Sequence, residues 1–214
     1  QPNLASITQR FPKGGTYSLR VSAHDGRGGI DARTLTLKVS DPLTAWEQRA
    51  SGVTNNLYAA IYAGGKFIVT GDNGVVLHST DGLTWAKGSG IPTSHFPRAL
   101  AHSGSRFVAV GPAASGAAVR ATTAHSTDGV TWTPGTMPAN VGTIAAIAFG
   151  VGRFVAVGEN GRIYNTIDGL AWSEVSSPVT TGLSAVAFAD NLFVATGASG
   201  RILTSVDGMN WTNR

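Results

Sequence analysis

The sequence contains no cysteine, few acidic residues and no long apolar segment. Without cysteine there is neither a disulfide framework nor a thiolate metal site, which excludes small disulfide-stapled scaffolds. Only 12 of the 214 residues are Asp or Glu, and this scarcity beside 16 Lys and Arg residues gives the net charge of +4. No apolar stretch is long enough to cross a bilayer, so we expect no membrane span.

The basic residues do not follow the pattern of a nucleic-acid site. They are scattered singly, and aromatic residues do not alternate with them as they would on a stacking platform. We therefore expect no nucleic-acid partner. The chain begins at Gln1 without a signal peptide, and we interpret it as a piece of a longer protein.

Glycine is abundant, with 28 residues, and the apolar segments are short and rich in strand formers. No long segment repeats every 3.6 residues, so the predicted fold class is all-β. The five tryptophans recur at a spacing of about 40 residues, which is typical of β-propeller blades that are each a four-stranded sheet. They are Trp46, Trp85, Trp132, Trp172 and Trp211.

Each predicted blade repeats one pattern of strands. A small-residue apolar strand comes first, followed by a second strand such as Arg153–Gly158, a tight turn such as Asn73-Gly74 and a third strand. The second strand is apolar on both faces, which predicts that neighbouring blades cover it on both sides. Asn-Gly supplies the positive φ angles of a two-residue hairpin turn, and we expect the fourth strand to begin at the Trp.

The third strand leads into a Ser/Thr-x-Asp-Gly-x-x-Trp motif that occurs four times. An enzyme does not usually repeat a catalytic carboxylate at a fixed period, so we interpret the Asp as a turn lock that accepts backbone N–H groups. The Gly adopts a conformation that a Cβ would obstruct, and the Trp is expected to pack between sheets. The structural residues of the motif are Ser79, Asp81, Trp85, Ser126, Asp128, Trp132, Thr166, Asp168, Trp172, Ser205, Asp207 and Trp211.

The motif resembles the Asp-box, or BNR, repeat of sialidase-like propellers and of photosystem-assembly-factor-like propellers of bacterial surface proteins. It is one residue shorter between Asp and Trp than the commoner Ser-x-Asp-x-Gly-x-x-Trp form. The resemblance covers residues 42–214 and implies that the motif residues lie on the face opposite the ligand-binding side. Trp46 fits an orphan outer strand, so we expect further blades from this chain or another.

Residues 15–42 resemble the last hairpin of a PKD or related immunoglobulin-like domain. The resemblance rests on Gly-Thr-Tyr, an alternating strand, Asp-Gly-x-Gly-Gly and a second alternating strand. Two strands cannot make a sandwich. We therefore assign residues 1–41 to the C-terminal part of such a domain and residues 42–214 to an incomplete propeller.

Ligand-binding residues are expected on the inter-blade connectors and on the second-to-third-strand turns, because these loops vary most between blades. Arg162 and Arg201 occupy equivalent positions after two such turns and are suited to an anionic group. The full set of candidates is His95, Phe96, Arg98, Arg120, Arg162 and Arg201.

A catalytic site is not expected. Once the turn, hairpin and linker carboxylates are set aside, only Glu47 and Glu174 remain, and a glycosidase needs two carboxylates that flank one bond. The five histidines do not show zinc-ligand spacing, so we expect neither a metal nor a cofactor.

The sequence favours a non-catalytic binding or scaffolding module of a larger bacterial protein that is secreted or displayed on the cell surface. Its loops would be presented to a protein or glycan ligand. Two alternatives remain open. The chain could be a fragment of a glycan-acting hydrolase whose catalytic residues lie on other blades, or a propeller that resembles an assembly chaperone.

Overall fold

The computed structural model describes residues 15–24, 30–39, 47–113, 121–138 and 141–214. The chain divides into two compact units, Gln1–Gln48 and Arg49–Arg214. The orphan strand predicted at Trp46 and the candidate ligand residue Arg120 lie outside the described residues.

The described part of the first unit is a β-hairpin. Strands β1 (Gly15–His24) and β2 (Ile30–Val39) pair antiparallel in one continuous register, from Gly15 opposite Val39 to His24 opposite Ile30. The two strands form a sheet of their own.

The second unit contains four antiparallel sheets of four strands each, and the all-β prediction is confirmed. Neighbours in each sheet are also neighbours along the chain, so every sheet is a meander. We number the sheets as repeats 1 to 4 in chain order. Repeat 1 contains β3 (Leu57–Ala63), β4 (Lys66–Gly71), β5 (Val76–Ser79) and β6 (Ala86–Lys87); repeat 2 contains β7 (Ala99–His102), β8 (Phe107–Pro112), β9 (Ala121–Ser126) and β10 (Thr133–Pro134). Repeat 3 contains β11 (Ile144–Gly150), β12 (Arg153–Gly158), β13 (Ile163–Thr166) and β14 (Ser173–Val175); repeat 4 contains β15 (Leu183–Ala189), β16 (Leu192–Gly197), β17 (Ile202–Ser205) and β18 (Thr212–Asn213).

A tight turn joins the second and third strands of repeats 1, 3 and 4. In repeat 1, Asn73 and Gly74 have φ values of 56° and 68°, and the Val75 N–H donates to the Asp72 carbonyl at 3.2 Å. Positive φ at both central residues defines a type I′ turn, whose twist matches that of the flanking strands. The predicted Asn-Gly hairpin is thus confirmed in repeat 1, and the turns of repeats 3 and 4 share its geometry.

The second strands of the two middle repeats are buried on both faces, as their apolar pattern predicts. Consecutive residues Phe154 and Val155 point to opposite faces of the sheet, and both are 0% exposed. Three apolar cores lie between successive repeats, and each contains second-strand residues from two adjacent sheets. The sheets are therefore stabilised by packing face to face along the chain.

The fourth strands begin one residue after the motif Trp, so the prediction that they start at the Trp is wrong by one position. The Trp132 N–H donates to the Ser89 carbonyl at 2.8 Å, and the Trp172 N–H to the Thr136 carbonyl at 3.3 Å. Each of these Trp residues thus pairs its backbone with the end of the preceding repeat. The Trp132 indole belongs to the same core as Ile68 of repeat 1.

Candidate functional site

Every meander has two ends. The first-to-second and third-to-fourth turns lie at one end, which we call the turn end, and the second-to-third turns and the connectors between repeats lie at the other, the connector end. A contact between repeats supports the placement of the first-to-second and third-to-fourth turns at the same end. Lys66, which opens the second strand of repeat 1, donates from Nζ to the carbonyl of Asp128 in the third-to-fourth turn of repeat 2.

The Asp at the turn end is held by its own turn. In repeat 1, the Asp81 Oδ1 accepts the N–H groups of Leu83 at 2.8 Å and Thr84 at 2.9 Å. The Ser79 hydroxyl donates to the same Oδ1 at 2.9 Å and accepts the Gly82 N–H at 2.8 Å. These bonds form an Asx-type lock in which one carboxylate and one hydroxyl satisfy three amides.

The other three turns have the same arrangement. Asp128 Oδ1 accepts two amides of its turn at 2.8 Å, Asp207 Oδ1 also accepts two at 2.8 Å, and Asp168 Oδ1 accepts the Leu170 N–H at 2.9 Å. Backbone N–H groups that bond a carboxylate favour its charged form. They lower the pKa of Asp128 to about 2, and they hold the pKa values of Asp81, Asp168 and Asp207 below the ordinary range.

At the connector end, hydrogen bonds join one loop to another, whereas at the turn end they close a single turn. The Gly74 N–H donates to the His95 carbonyl at 2.8 Å, which fixes the connector between repeats 1 and 2 on the turn of repeat 1. Asp72 is held by Asn56, whose Nδ2 donates to Oδ2 at 2.9 Å. In repeat 3, the equivalent Glu159 accepts the Thr143 N–H on Oε2 at 3.2 Å.

Three of the predicted ligand residues, His95, Phe96 and Arg98, lie close together on the connector between repeats 1 and 2. His95 and Phe96 are half-buried, and burial lowers the pKa of His95. Arg98 is exposed, and its guanidinium carbon lies 4.8 Å from the centre of the Tyr58 ring. This cation–π contact orients the guanidinium while leaving it open to solvent.

The two remaining described candidates lie on either side of the connector between repeats 3 and 4, residues 176–182. Arg162 lines a groove of about 550 Å³ together with Ser177 and Thr180, and Arg201 lines an adjoining groove of about 240 Å³ with the same two residues. The structure thus brings Arg162 and Arg201 to one hydroxyl-rich connector.

The two arginines differ in how their charge is balanced. Arg162 donates from Nη1 to Glu174 Oε1 at 3.1 Å and to the Tyr164 hydroxyl at 3.3 Å, and the hydrogen bond to Tyr164 raises the pKa of Arg162. Arg201 is exposed and makes no ion pair within the described part of the chain. Arg201 is therefore the cation more open to an anionic ligand.

The sequence did not predict which residues lie beside the candidates. These neighbours are Glu174, Tyr58 and the Ser/Thr residues of the connector. Glu174 is opposite Tyr164 in the β13–β14 register, so a strand alignment would have placed it beside Arg162. Tyr58 had no such signal, because its contact with Arg98 joins two different repeats.

The described residues contain no cluster of three or more His, Asp and Glu side chains that could hold a metal ion. A search of the same residues finds no helix with the length and apolar character needed to span a bilayer.

Comparison with solved structures shows a β-propeller fold. YCF48 from Cyanidioschyzon merolae aligns with a TM-score of 0.59 and 20% identity, over 80% of this chain and 59% of that one. YCF48 bound to D1 peptide aligns with a TM-score of 0.58 and 20% identity, over 86% of this chain and 62% of that one. A GH74 enzyme from Niastella koreensis aligns with a TM-score of 0.57 and 20% identity, over 74% of this chain and 24% of that one.

The chain spans about three fifths of the length of the YCF48 structures that it matches. No protein-family model matches the sequence, and neither does any curated protein. At 20% identity, the structural likeness concerns the fold of the four repeats.

Proposed function

We propose that the chain is a non-catalytic binding or scaffolding module that presents its connector end to a protein or glycan. The proposal rests on the hydrogen bonds that the four motif carboxylates accept. Each one accepts hydrogen bonds from its own turn, as Asp81 does from Leu83 and Thr84. A carboxylate held in this way fastens a turn and does not serve as a general acid or base near neutral pH.

The ligand chemistry follows from the connector between repeats 3 and 4. Arg201, with Arg162 across the connector, provides positive charge beside the hydroxyls of Ser177 and Thr180. Guanidinium and hydroxyl donors suit an anionic group such as a carboxylate on a peptide or on an acidic sugar. The D1 peptide bound to one YCF48 structure supports a protein ligand.

The wider setting is also part of the proposal. We assign the repeats to the Asp-box class of propellers and the β1–β2 hairpin to the end of a PKD-like domain, as the sequence motifs indicate. This combination favours a larger bacterial protein that is secreted or displayed at the surface. The GH74 neighbour is an enzyme, so any test of binding must also include an assay for hydrolysis.

The test is a binding screen of the full chain against arrays of sialylated and neutral glycans and of acidic and neutral peptides. We expect binding to a probe that carries a carboxylate, weakened about tenfold by Arg201→Ala, which corresponds to about 1.4 kcal/mol. Lys87→Ala is the matched control, because Lys87 is an exposed cation on the fourth strand of repeat 1.

Asp168→Ala serves as a second control at the turn end. It should lower the melting temperature and leave the affinity unchanged, because Asp168 holds the Leu170 amide. Loss of affinity in Lys87→Ala equal to that in Arg201→Ala would contradict the assigned site. Hydrolysis of a probe that is abolished by Glu174→Gln would overturn the non-catalytic proposal.

A further inference from the structure

The second position of the Ser/Thr-x-Asp-Gly-x-x-Trp motif differs between the two halves of the second unit. It is Thr80 in repeat 1 and Thr127 in repeat 2, but Ile167 in repeat 3 and Val206 in repeat 4. All four side chains are exposed, Ile167 at 74% and Val206 at 68%. Threonine is compatible with the same turn, so the turn lock does not require an apolar residue at this position.

Three further exposed apolar residues stand in the same group of turns. Leu170 and Met209 follow the motif glycines of repeats 3 and 4 and are 38% and 47% exposed, and Val151 in the first-to-second turn of repeat 3 is 47% exposed. We call the five residues the apolar strip: Val151, Ile167, Leu170, Val206 and Met209.

The turns that carry the apolar strip lie side by side at the turn end. Within repeat 3, the register of β12 and β13 places the turn that contains Val151 next to the motif turn that contains Ile167. Between repeats, a Cβ on Gly208 would lie 2.9 Å from Arg153 Cδ, so the motif turn of repeat 4 packs on the residue that follows the Val151 turn. The strip therefore crosses a junction, by which we mean the contact between two successive sheets.

The strip is exposed although each of its motif turns has a sheet to pack on. Each motif turn packs on the preceding repeat, as the Gly208 contact shows for repeat 4. In repeat 3, a Cβ on Gly169 would lie 2.5 Å from Val108 of repeat 2. Ile167 is exposed on that turn with sheets on both sides of it, and Val206 occupies the equivalent position on a turn that packs on repeat 3. Exposed apolar residues that are contiguous on one surface mark an interaction site.

The turns at the turn end of repeats 3 and 4 are acidic. They contain three carboxylates, Asp168, Asp190 and Asp207, and one cation, Arg153. Arg153 is half-buried and donates from Nη1 to Asn165 Oδ1 at 3.2 Å, whereas Asp168 and Asp190 are exposed. Backbone N–H groups hold the pKa values of Asp168 and Asp207 below the ordinary range, so both carboxylates stay charged near neutral pH. The apolar strip is therefore surrounded by negative charge, in a chain whose net charge is +4.

We propose that the apolar strip is a docking surface for a basic amphipathic segment of a partner protein. The apolar side chains of the segment cover Ile167 and Val206, and its Lys or Arg side chains lie beside Asp168 and Asp190. Charge decides the class of partner, because an acidic segment with the same apolar residues would bring like charges together. The turn locks hold the strip in one conformation before binding, which lowers the entropy cost of docking. This surface is separate from the ligand site proposed at the connector end.

The test measures the binding of fluorescent synthetic peptides to the full chain by fluorescence anisotropy. The first peptide has Leu and Lys at the spacing of an amphipathic helix, the second replaces its Lys residues with Glu, and the third replaces its Leu residues with Ser. We expect the Leu/Lys peptide to bind at least about tenfold more tightly than either of the others, with an affinity that falls as salt is raised. No binding of the Leu/Lys peptide, or equal binding of the Leu/Glu or the Ser/Lys peptide, overturns the proposal.

Substitutions at the apolar strip locate the bound peptide. The double variant Ile167→Thr, Val206→Thr installs the residue of repeats 1 and 2, so both turns keep their locks and far-UV circular dichroism should be unchanged. It should weaken binding of the Leu/Lys peptide about tenfold. Ile202→Thr is the matched control and should bind like the native chain, because Ile202 is 44% exposed at the connector end of repeat 4. Unchanged affinity in the double variant, or an equal loss in the control, overturns the proposal.

The contribution of charge is tested at Asp190, which lies outside the motif. Its φ of 48° is one that Asn also adopts readily, so Asp190→Asn removes the charge without strain. We expect binding of the Leu/Lys peptide to weaken about threefold at low salt and the difference to disappear at high salt. An affinity that does not change at low salt contradicts a basic partner.

Other occupants of the apolar strip would give different results. A second copy of this chain would make the native chain dimeric and the double variant monomeric in light scattering, and a membrane surface would make only the native chain sediment with phosphatidylcholine vesicles. Either result overturns the proposal. The peptide test does not depend on the proposed function, because the screen for carboxylate ligands concerns Arg201 at the connector end, and its failure would leave the binding of the Leu/Lys peptide unchanged.

Discussion

Repeats 1 and 3 have nearly the same pattern, yet their equivalent residues differ in burial. Phe154 is 0% exposed in repeat 3 and Phe67 is 36% exposed in repeat 1. Each ring also contacts an aromatic partner on its own first strand, Phe149 in repeat 3 and Tyr62 in repeat 1, at 4.8 Å and 4.6 Å between centroids. The local structure is therefore the same, and the full burial of Phe154 comes from the sheet of repeat 2, which shares a core with it.

The turn lock shows the opposite behaviour. Asp81 in repeat 1 accepts the same kind of amides as Asp128 in repeat 2, at the same distances within 0.1 Å. A turn that is closed by its own residues does not need a neighbour. The comparison thus separates two sources of stability, one within each repeat and one between repeats.

The largest expected effect comes from truncating the Phe. Phe154→Ala should lower the free energy of unfolding by about 3–5 kcal/mol, because it leaves a cavity between two sheets. Phe67→Ala should cost less than about 2 kcal/mol, since its ring is partly in water already. Urea denaturation checks both. Equal losses in the free energy of unfolding would show that cover by a preceding repeat does not add to the stabilisation by this Phe.

The motif glycine offers a second matched pair. Gly169 and Gly82 have φ values of 77° and 70°, so Ala at either position incurs the same left-handed strain of about 1 kcal/mol. Only at Gly169 does the new Cβ meet the preceding repeat, at 2.5 Å from Val108, which adds about 1–3 kcal/mol. Thermal unfolding should rank Gly169→Ala as more destabilised than Gly82→Ala. The reverse ranking would contradict the junction geometry.

The smallest expected effect concerns acid. Because the folded-state pKa of Asp128 is lowered to about 2, its stabilisation is fully present above the unfolded-state pKa of about 4 and is lost as the pH falls from 4 to 2. Asp128→Asn should be less stable than the native chain at pH 7, and the gap should close near pH 2. Asp81→Asn in repeat 1 should show a gap that narrows in the same direction as the pH falls, because backbone amides also lower the pKa of Asp81. A constant gap would mean that the carboxylate charge does not contribute to the lock.

Much of the fold could be predicted from the sequence because the same strand and turn patterns recur from one repeat to the next. The apolar pattern around Phe154 required cover on both faces, and Asn73-Gly74 required a hairpin turn. The start of the fourth strand could not be read in the same way. The Trp132 N–H bonds the preceding repeat, and a pairing between repeats has no periodic signal within one repeat.

The candidate site was less predictable for the same reason. The position of Arg162 and Arg201 after equivalent turns could be read from the repeat, but the ion pair of Arg162 with Glu174 could not. Whether an arginine is paired depends on side chains of neighbouring strands, which vary from one repeat to the next. The assignment of the six candidates to ligand binding stays a prediction: His95, Phe96, Arg98, Arg120, Arg162 and Arg201.

The backbone pairing of Trp132 with Ser89 also bears on how such a chain changes over evolutionary time. Because each sheet is joined only to the next through positions that recur, the duplication of one segment of about 40 residues inserts a sheet whose two sides already match its new neighbours. A whole-segment gain or loss therefore requires no compensating substitutions elsewhere. Trp132 lies 47 residues after Trp85 and still donates to Ser89, so additional residues within a segment are compatible with the pairing between sheets.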